Sequence, residues 1–366
     1  MDSRHSCRAT RPGALGTSPP AGSCGRCSSV PRSWRSCPFR PSSSRRSPWC
    51  CSGCPWRPRW RRSSSVRFRH PALRSAFRAT VDRSGHAGPV QRIGLKDPEG
   101  VRFVPPVGSG TGVLVLAGSS GRVDEDRARV FAGLGHVAES IGWFGGAGQQ
   151  PGPWSVPLEL FLARIDELER SCDRVWLVGT SLGAEAALVL GAHRPSVAGV
   201  IAFAPTDVVW PWPDGAGAER SHWTLDGSPL PHVPLAWNTW RREEPPRFRS
   251  LYEHSYEAAP DRVRAAEIPV ERIQQVVLIA GEDDQVWPSA QSARRIAARR
   301  TAAGCATTLV IDRDAGHRAV LPTEPVVAGG TAMVRGGTAV ADAALGVVAL
   351  EAIRGALDQD RIRPPS

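Results

Sequence analysis

The sequence predicts an α/β fold with a doubly wound, mainly parallel sheet, and three observations support this class. Short β-branched runs recur along the chain, and they are VLVLAG (113–118), VWLVG (175–179), VAGVIAFAP (197–205), VVLIAG (276–281) and TTLVID (307–312). These runs are apolar on both faces, which is typical of parallel strands that helices cover on each side. Segments with helical periodicity alternate with the runs, as expected for an open α/β sheet.

The helical segments complete this alternation and set the domain boundaries. They cover residues 122–135, 157–171, 182–194, 289–300 and 340–357. Because the alternation extends over roughly 270 residues, we expect one large domain, residues 94–362, with a well-buried core. Residues 206–268 lie between two predicted strands and are too many for an ordinary loop, so they predict a cap insertion.

One of the predicted strands ends at a serine flanked by glycines. Residues 175–183 read VWLVGTSLG and contain a G-x-S-x-G turn. In α/β-hydrolases this turn is a sharp elbow between a strand and a helix, and it exposes the serine hydroxyl above the sheet. A Cβ two positions to either side would clash with the neighbouring strand and helix. The elbow lies after a predicted strand and before a predicted helix, so it favours the α/β-hydrolase fold.

An acid and a histidine follow the elbow in the order that this fold uses. The triad of α/β-hydrolases runs Ser, then Asp or Glu, then His along the chain. His317 follows the last predicted strand, and Asp284 lies three residues after Gly281, which ends the strand before it. Asp283 remains an alternative acid. A serine hydroxyl needs an imidazole base, oriented by a carboxylate, to attack at neutral pH, so we predict Ser181, His317 and Asp284 as catalytic residues.

The negative charge that such an attack creates requires hydrogen-bond donors. The backbone N–H of Leu182 begins the helix after the elbow, and the GSSG loop at 118–121 follows the first predicted strand. We predict an oxyanion hole formed by Leu182 with Ser119 or Ser120. The alternative is that GSSG is only a flexible turn.

The first part of the chain has a different composition. Residues 1–80 contain 17 Arg and one acid, a net charge of +16, whereas the rest contains 29 basic and 34 acidic residues, a net charge of −5. Three interpretations of residues 1–93 stay open. They are a disordered basic tail, a metal site on CGRC (24–27) and CSGC (51–54), and a segment that is not part of the native protein. The last of these accounts best for the excess of Arg, Ser, Pro, Cys and Trp.

Composition also argues against several classes of function. The pI of about 10.0 comes from the first segment alone, so charge does not indicate a nucleic-acid partner. There is no signal peptide and no apolar run of 18 residues, so we expect no membrane span and a cytoplasmic protein. Only Cys172 and Cys305 occur in the globular part, so disulfides are not expected. We predict no metal and no cofactor, and the sequence makes no prediction of oligomeric state.

Several segments together resemble one known family. They are PLELF (157–161), GTSLGAEAALVLGA (179–192), AFAPTDVVW (202–210), SHWTLDGSPLPHVP (221–234), IPVERI (268–273), GEDDQVWPS (281–289) and AGHR (315–318). Over about residues 94–360 the chain resembles the C-terminal domain of the bile acid-CoA:amino acid N-acyltransferase and acyl-CoA thioesterase family. The resemblance implies an α/β-hydrolase domain that attacks a coenzyme A thioester, with the triad on Ser181, Asp284 and His317.

The chain departs from that family at two points. Members commonly carry an N-terminal β-sandwich, and residues 1–93 lack the alternating strands that it would need. In the family a cysteine nucleophile is associated with acyl transfer to an amine, whereas a serine favours transfer to water. We therefore predict an acyl-CoA thioester hydrolase that works through an acyl-enzyme and acts on a small-molecule acyl-CoA or acyl ester. The alternatives are a carboxylester hydrolase, a dipeptidyl-type peptidase, an acyl-CoA:amine N-acyltransferase and a non-catalytic ligand-binding relative.

The predicted cap is rich in aromatic and basic residues. We predict that the acyl chain contacts tryptophans of this segment, namely Trp210, Trp212, Trp223 and Trp237, with the alternative that these rings form the small core of the cap. Arginines of the same segment are candidates to bind coenzyme A phosphates, namely Arg241, Arg242, Arg247 and Arg249. The alternative is a solvated surface, because acids are interspersed among them.

Overall fold

The computed structural model describes residues 89–327 and 332–362. Most of the predicted N-terminal segment, including both cysteine motifs, lies outside these residues. The first strand begins at Gln91, three residues before the predicted start of the domain. Within the described residues, no helix is both long and apolar enough to cross a membrane.

Thirteen strands occur in the described part of the chain. They are β1 Gln91–Lys96, β2 Glu99–Val104, β3 Thr111–Leu116, β4 Val137–Ile141, β5 Val156–Pro157, β6 Arg174–Thr180, β7 Val197–Phe203, β8 Pro211–Pro213, β9 Glu219–Ser221, β10 Trp223–Leu225, β11 Ser228–Pro229, β12 Gln275–Gly281 and β13 Thr307–Asp312. Eight of them form the central sheet, in the order β1-β2-β4-β3-β6-β7-β12-β13.

The pairing in this sheet is parallel except at one edge. β2 runs antiparallel to both of its neighbours, β1 and β4, and every other pair is parallel. This order, with the second strand reversed, is that of the α/β-hydrolase fold, so the predicted fold class is confirmed. The five strands predicted from the sequence form the contiguous parallel part of the sheet, β3-β6-β7-β12-β13.

Helices cover both faces of the sheet. They are α1 Glu125–Gly133, α2 Glu159–Glu169, α3 Leu182–His193, α4 Arg249–Ala258, α5 Pro260–Ala266, α6 Ser289–Ala302 and α7 Ala339–Ile362. Side chains of α2, α3 and α6 pack in one hydrophobic cluster, and those of α1 and α7 pack in a second. β3 supplies Leu114 and Leu116 to the first cluster, and Val113 and Val115 to the second, because successive side chains of a strand point to opposite faces.

The strands that the sequence pattern does not predict contain buried charges or exposed residues. β1 is mostly exposed, so it has no apolar alternation to detect. β4 contains Glu139, whose carboxylate is completely buried and accepts hydrogen bonds from Arg164 and Arg102. A carboxylate in the middle of a strand conceals the apolar pattern, because burial of a charge is tolerated only when it is paired.

The predicted insertion contains structure of its own, and we call residues 206–268 the cap segment. It contains the short strands β8 to β11 and the helices α4 and α5. β10 also pairs in parallel with β5, which precedes α2, so the segment is joined to the main domain by backbone hydrogen bonds. A small hydrophobic cluster centred on Val208, Trp210 and Val233 forms its core, and Trp287 from the main domain packs into that cluster.

Candidate active site

The serine of the G-x-S-x-G turn lies between β6 and α3 in a strained conformation. Ser181 has φ 57° and ψ −121°, a region that non-glycine residues rarely adopt. A Cβ on Gly179 would collide with the carbonyl of Gly183, and one on Gly183 would collide with the carbonyl of Ala117. Close approach of backbone to backbone therefore requires both glycines, and the turn exposes part of Ser181 to solvent.

The structure brings His317 and Asp284 into direct contact. His317 Nδ1 lies 2.8 Å from Asp284 Oδ2, and Asp284 is completely buried. The same carboxylate accepts hydrogen bonds from the Ser289 hydroxyl at 2.5 Å and from the backbone N–H groups of Val286 at 2.9 Å and Trp287 at 3.3 Å. Four donors thus fix the carboxylate, and the carboxylate in turn fixes the ring of His317.

The neighbouring acid has other partners. Asp283 Oδ1 accepts a hydrogen bond from the Gln285 side chain at 2.7 Å, and its Oδ2 accepts one from the backbone N–H of Gly337 at 2.8 Å. Of the two acids that the sequence leaves open, Asp284 is therefore the one that the structure places against His317.

Residues of the W-P-S motif account for part of this geometry. The indole of Trp287 packs edge to face against the His317 ring, with 6.0 Å between ring centroids. Its Nε1 donates to the carbonyl of Ala204 at 3.0 Å, which locates the ring at the end of β7. The motif therefore supplies both a donor to the acid and a wall for the histidine, roles that the sequence does not reveal.

The two predicted oxyanion segments lie on either side of the serine. Leu182 is the first residue of α3, and the first N–H groups of a helix have no partner within it. The 118–121 loop runs beside the serine, since a Cβ on Gly118 would lie 3.3 Å from Ser181 Cβ. Ser119 and Ser120 are exposed in this loop. Their role as donors stays a prediction.

Basic side chains surround the histidine. Arg318 follows His317 directly, and the backbone carbonyl of Arg335 accepts the His317 N–H at 3.0 Å. Burial, followed by the positive charges of Arg335 and Arg122, lowers the pKa of Arg318 to about 10. Arg122 immediately follows the 118–121 loop. Three arginines from separate segments therefore raise the positive potential close to His317.

A second carboxyl group supports the histidine from below. Asp342, in the first turn of α7, accepts a hydrogen bond from the backbone N–H of Gly316 at 2.8 Å. Burial raises the pKa of this carboxyl group above its usual value. Asp342 thus fixes the residue before His317, and the sequence gives no signal for this contact.

The four predicted tryptophans occupy two different environments. Trp223 is completely buried and packs against Trp143, with ring centroids 5.5 Å apart, and Trp210 is 3% exposed and packs against Tyr252. Both rings belong to the packed interior, as in the alternative interpretation. Trp212 and Trp237 are partly exposed and are the members of the set that retain accessible surface.

A buried glutamate joins the cap segment to the helix that follows the serine. Glu185 lies in α3 and is completely buried. Its Oε1 accepts hydrogen bonds from Trp223 Nε1 at 2.8 Å, from His222 Nδ1 at 2.9 Å and from the Trp210 N–H at 3.2 Å. This residue is the last letter of the SLGAE motif. Sequence reasoning noted the motif without finding the anchor that it provides.

The predicted phosphate-binding arginines have local partners. Arg247 pairs with Glu243, and Arg242 lies 3.9 Å from Glu244. Arg249 pairs with Glu253 and also donates to the backbone carbonyls of Glu282 at 2.7 Å and Asp284 at 3.3 Å. Arg249 therefore ties the start of α4 to the loop that carries the acid.

Comparison with protein families gives one match. The description "BAAT / Acyl-CoA thioester hydrolase C terminal" matches residues 160–344, which is 185 of the 366 residues. The matched range includes the elbow, both acids, the histidine and the cap segment. No curated protein matches the chain.

Solved structures similar to this chain include three that are described in words. TT1662 from Thermus thermophilus is 15% identical, with 76% of this chain and 100% of that chain covered and a TM-score of 0.43. A putative dienelactone hydrolase from Klebsiella pneumoniae is 12% identical, covering 74% and 98%, with a TM-score of 0.42. The HSL-homolog EstE7 from a metagenome library is 15% identical, covering 78% and 92%, with a TM-score of 0.43. The family match identifies the chain as a hydrolase of the esterase and thioesterase type.

Proposed function

Since this chain belongs to the family of BAAT and acyl-CoA thioester hydrolase C-terminal domains, we propose that it is a serine hydrolase that cleaves acyl-CoA thioesters. The observation that carries the proposal is the 2.8 Å contact between His317 Nδ1 and the buried Asp284, at the edge of the sheet where the strained Ser181 lies. Such an arrangement fits nucleophilic acyl transfer, because each group has the partner that its role requires.

In the first step the Ser181 hydroxyl oxygen attacks the thioester carbonyl. The Nε2 atom of His317 accepts the hydroxyl proton, while Asp284 holds Nδ1–H and stabilises the imidazolium that forms. The N–H groups of Leu182 and of Ser119 or Ser120 stabilise the oxyanion. The carbon–sulfur bond then breaks, the thiol leaves with the proton from His317, and the acyl group remains on Ser181 as an ester.

In the second step water replaces the thiol. His317 takes a proton from the water as its oxygen attacks the acyl ester, and the same donors meet the second oxyanion. The Ser181–acyl bond breaks, the serine oxygen regains a proton from His317, and the free carboxylic acid leaves. Water is the acceptor in this proposal because the nucleophile is a serine.

The charge around the histidine supports an anionic substrate. Coenzyme A carries several phosphate groups, and a guanidinium group offers paired donors suited to phosphate. Arg318, Arg335 and Arg122 are brought together beside His317 although burial and mutual repulsion lower the pKa of Arg318. An anionic carrier offsets that repulsion, whereas a neutral ester does not. Trp212 and Trp237 are the tryptophans that we propose contact the acyl chain.

The proposal is tested by measuring turnover of a substrate panel. The panel contains acyl-CoAs of increasing chain length, the matching acyl thioesters of N-acetylcysteamine, p-nitrophenyl esters and aminoacyl amides. We expect the largest kcat/KM for an acyl-CoA, with equal release of free thiol and carboxylic acid. We also expect kcat/KM for the acyl-CoA, but not for the truncated thioester, to fall as ionic strength rises, because salt screens exposed charges.

Other outcomes of the panel would contradict the proposal in different ways. Turnover of esters with none of any acyl-CoA would assign a carboxylester hydrolase. Turnover of the amides alone would assign a peptidase. Thiol release that is accompanied by N-acylglycine when glycine is added, rather than by free acid, would assign acyl transfer to an amine.

The adjacent acids offer a matched pair of variants. Asp284→Asn is expected to lower kcat by about 10⁴-fold, because an amide at this position stabilises the wrong tautomer of the histidine. Asp283→Asn is expected to change kcat less than about twofold, since Asp283 bonds only Gln285 and Gly337 among the described residues. Steady-state kinetics of the two purified variants at equal concentration measure the difference. Equal losses in both would contradict the assignment of the acid.

A further inference from the structure

A buried arginine lies where the parts of the site meet. Arg127, in α1, is 6% exposed. Its Nη1 donates to the Thr180 hydroxyl at 2.5 Å, and its Nη2 donates to the backbone carbonyl of Ala319 at 3.0 Å. Its Nε and Nη2 also donate to both carboxylate oxygens of Glu324, at 2.7 and 2.9 Å. One guanidinium group therefore binds the strand before the elbow and the segment after the histidine.

The remaining surface of this cluster is also filled. The guanidinium carbon lies 4.2 Å from the centre of the Phe203 ring, at the end of β7. Glu324 Oε2 accepts a second hydrogen bond, from the backbone N–H of Leu321 at 2.9 Å. Burial alone would lower the pKa of Arg127, but the charge and hydrogen bonds of Glu324 raise it. The cation thus keeps its charge inside the protein.

A buried ion pair is a poor source of stability. Removal of two charges from water costs about as much as their attraction returns, so an apolar pair of the same volume often serves stability equally well. The directional contacts of such a pair, in contrast, fix the relative position of the segments that carry them. Arg127 joins segments that are 53 and 197 residues away along the chain.

The joined segments are those that carry the reactive groups. Thr180 directly precedes Ser181, and Ala319 follows His317 by two residues. We call residues 313–327 the histidine loop. This loop follows the edge strand β13 and contains no helix or strand among its residues, so hydrogen bonds to other segments determine its position.

We propose that Arg127 is a positioning residue that holds the histidine loop at the elbow, so that the His317 imidazole stays in register with the Ser181 hydroxyl. This inference rests on the proposed function, because it concerns the same serine and histidine. It assigns Arg127 and Glu324 to the machinery of the reaction although neither touches the substrate. A displacement of about 1 Å between reacting groups can cost about a hundredfold in rate.

The test uses variants of the full chain that remove single contacts. Thr180→Val keeps the shape of the side chain and removes the hydroxyl that Arg127 binds, and Thr180→Ser is the conservative variant that keeps it. Glu324→Gln removes the charge of the second partner. Arg129→Ala is the control, because Arg129 is an exposed arginine of the same helix that pairs with Glu125.

Two readouts separate positioning from stability. The first is the second-order rate constant for labelling of Ser181 by a fluorophosphonate probe, with the labelled fraction at completion reporting the folded population. The second is the division of any kinetic loss between kcat and KM on the best substrate of the panel. Thermal unfolding of each variant is followed in parallel.

We expect Thr180→Val and Glu324→Gln to lower the labelling rate constant and kcat by at least about tenfold, with full labelling at completion and unchanged KM. Thr180→Ser and Arg129→Ala should match the unaltered chain. Equal rate constants in Thr180→Val, Glu324→Gln and the unaltered chain would overturn the inference alone. A loss confined to the labelled fraction or to thermal stability would also overturn it, since it would show a purely structural role. If Glu324→Gln does not fold, Thr180→Val decides. Absence of labelling in the unaltered chain would overturn the proposed function together with this inference.

Discussion

Replacement of Ser181 by alanine is expected to abolish covalent labelling by a fluorophosphonate probe and to lower kcat by about six orders of magnitude. The size of the effect follows from the loss of the nucleophile, because triad residues act as a unit and any remaining turnover comes from binding and the oxyanion donors alone. Alanine has a Cβ like serine, so the strained φ of 57° and the fold should be retained.

The measurement combines intact-mass spectrometry after probe treatment with steady-state turnover. Ser171→Ala is the matched control, because Ser171 is an exposed serine at the end of α2 and should leave both readouts unchanged. Probe adducts on the Ser181→Ala protein, or turnover within tenfold of the unaltered chain, would show that another residue is the nucleophile.

Replacement of His317 by alanine is expected to lower kcat by a similar factor, about 10⁶-fold. The serine then has no base, and its hydroxyl is a poor nucleophile at neutral pH. The cost to folding should be small in comparison, because Asp284 keeps its hydrogen bonds from Ser289, Val286 and Trp287. The side chain therefore contributes mainly to the chemistry.

Two measurements check this second prediction. Turnover at saturating substrate gives kcat, and circular dichroism with thermal unfolding tests the fold. His254→Ala is the control, because His254 is an exposed histidine of the cap segment and is expected to be neutral. A folded His317→Ala protein with nearly full turnover would exclude an imidazole base at this position.

The sequence predicted the parallel part of the fold because both faces of those strands are buried. β3 and β7 are buried at every position, so their apolar runs are continuous and end sharply. The same reasoning could not find β1, which is mostly exposed, or β4, whose buried Glu139 breaks the apolar pattern. The family resemblance is confirmed by the match over residues 160–344.

The sequence also predicted the three residues that carry the proposed chemistry, because chain order and strand ends restrict where they can occur. It could not separate Asp283 from Asp284, since the direction of a side chain in a turn depends on contacts that are distant in sequence. Arg127 and Glu324 escaped notice for a related reason. An arginine in an amphipathic helix ordinarily faces water, and its acidic partner lies 197 residues later.

The anchor at Glu185 has a consequence for how the enzyme exchanges substrate and product. Hinged movement of the cap segment away from α3 would strip three donors from a carboxylate that has no contact with solvent, and an uncompensated buried charge costs about 3–5 kcal/mol. That part of the cap segment should therefore act as a stationary wall rather than a swinging door. Catalytic turnover should then be independent of solvent viscosity, and the longest acyl chain accepted should show a sharp cutoff.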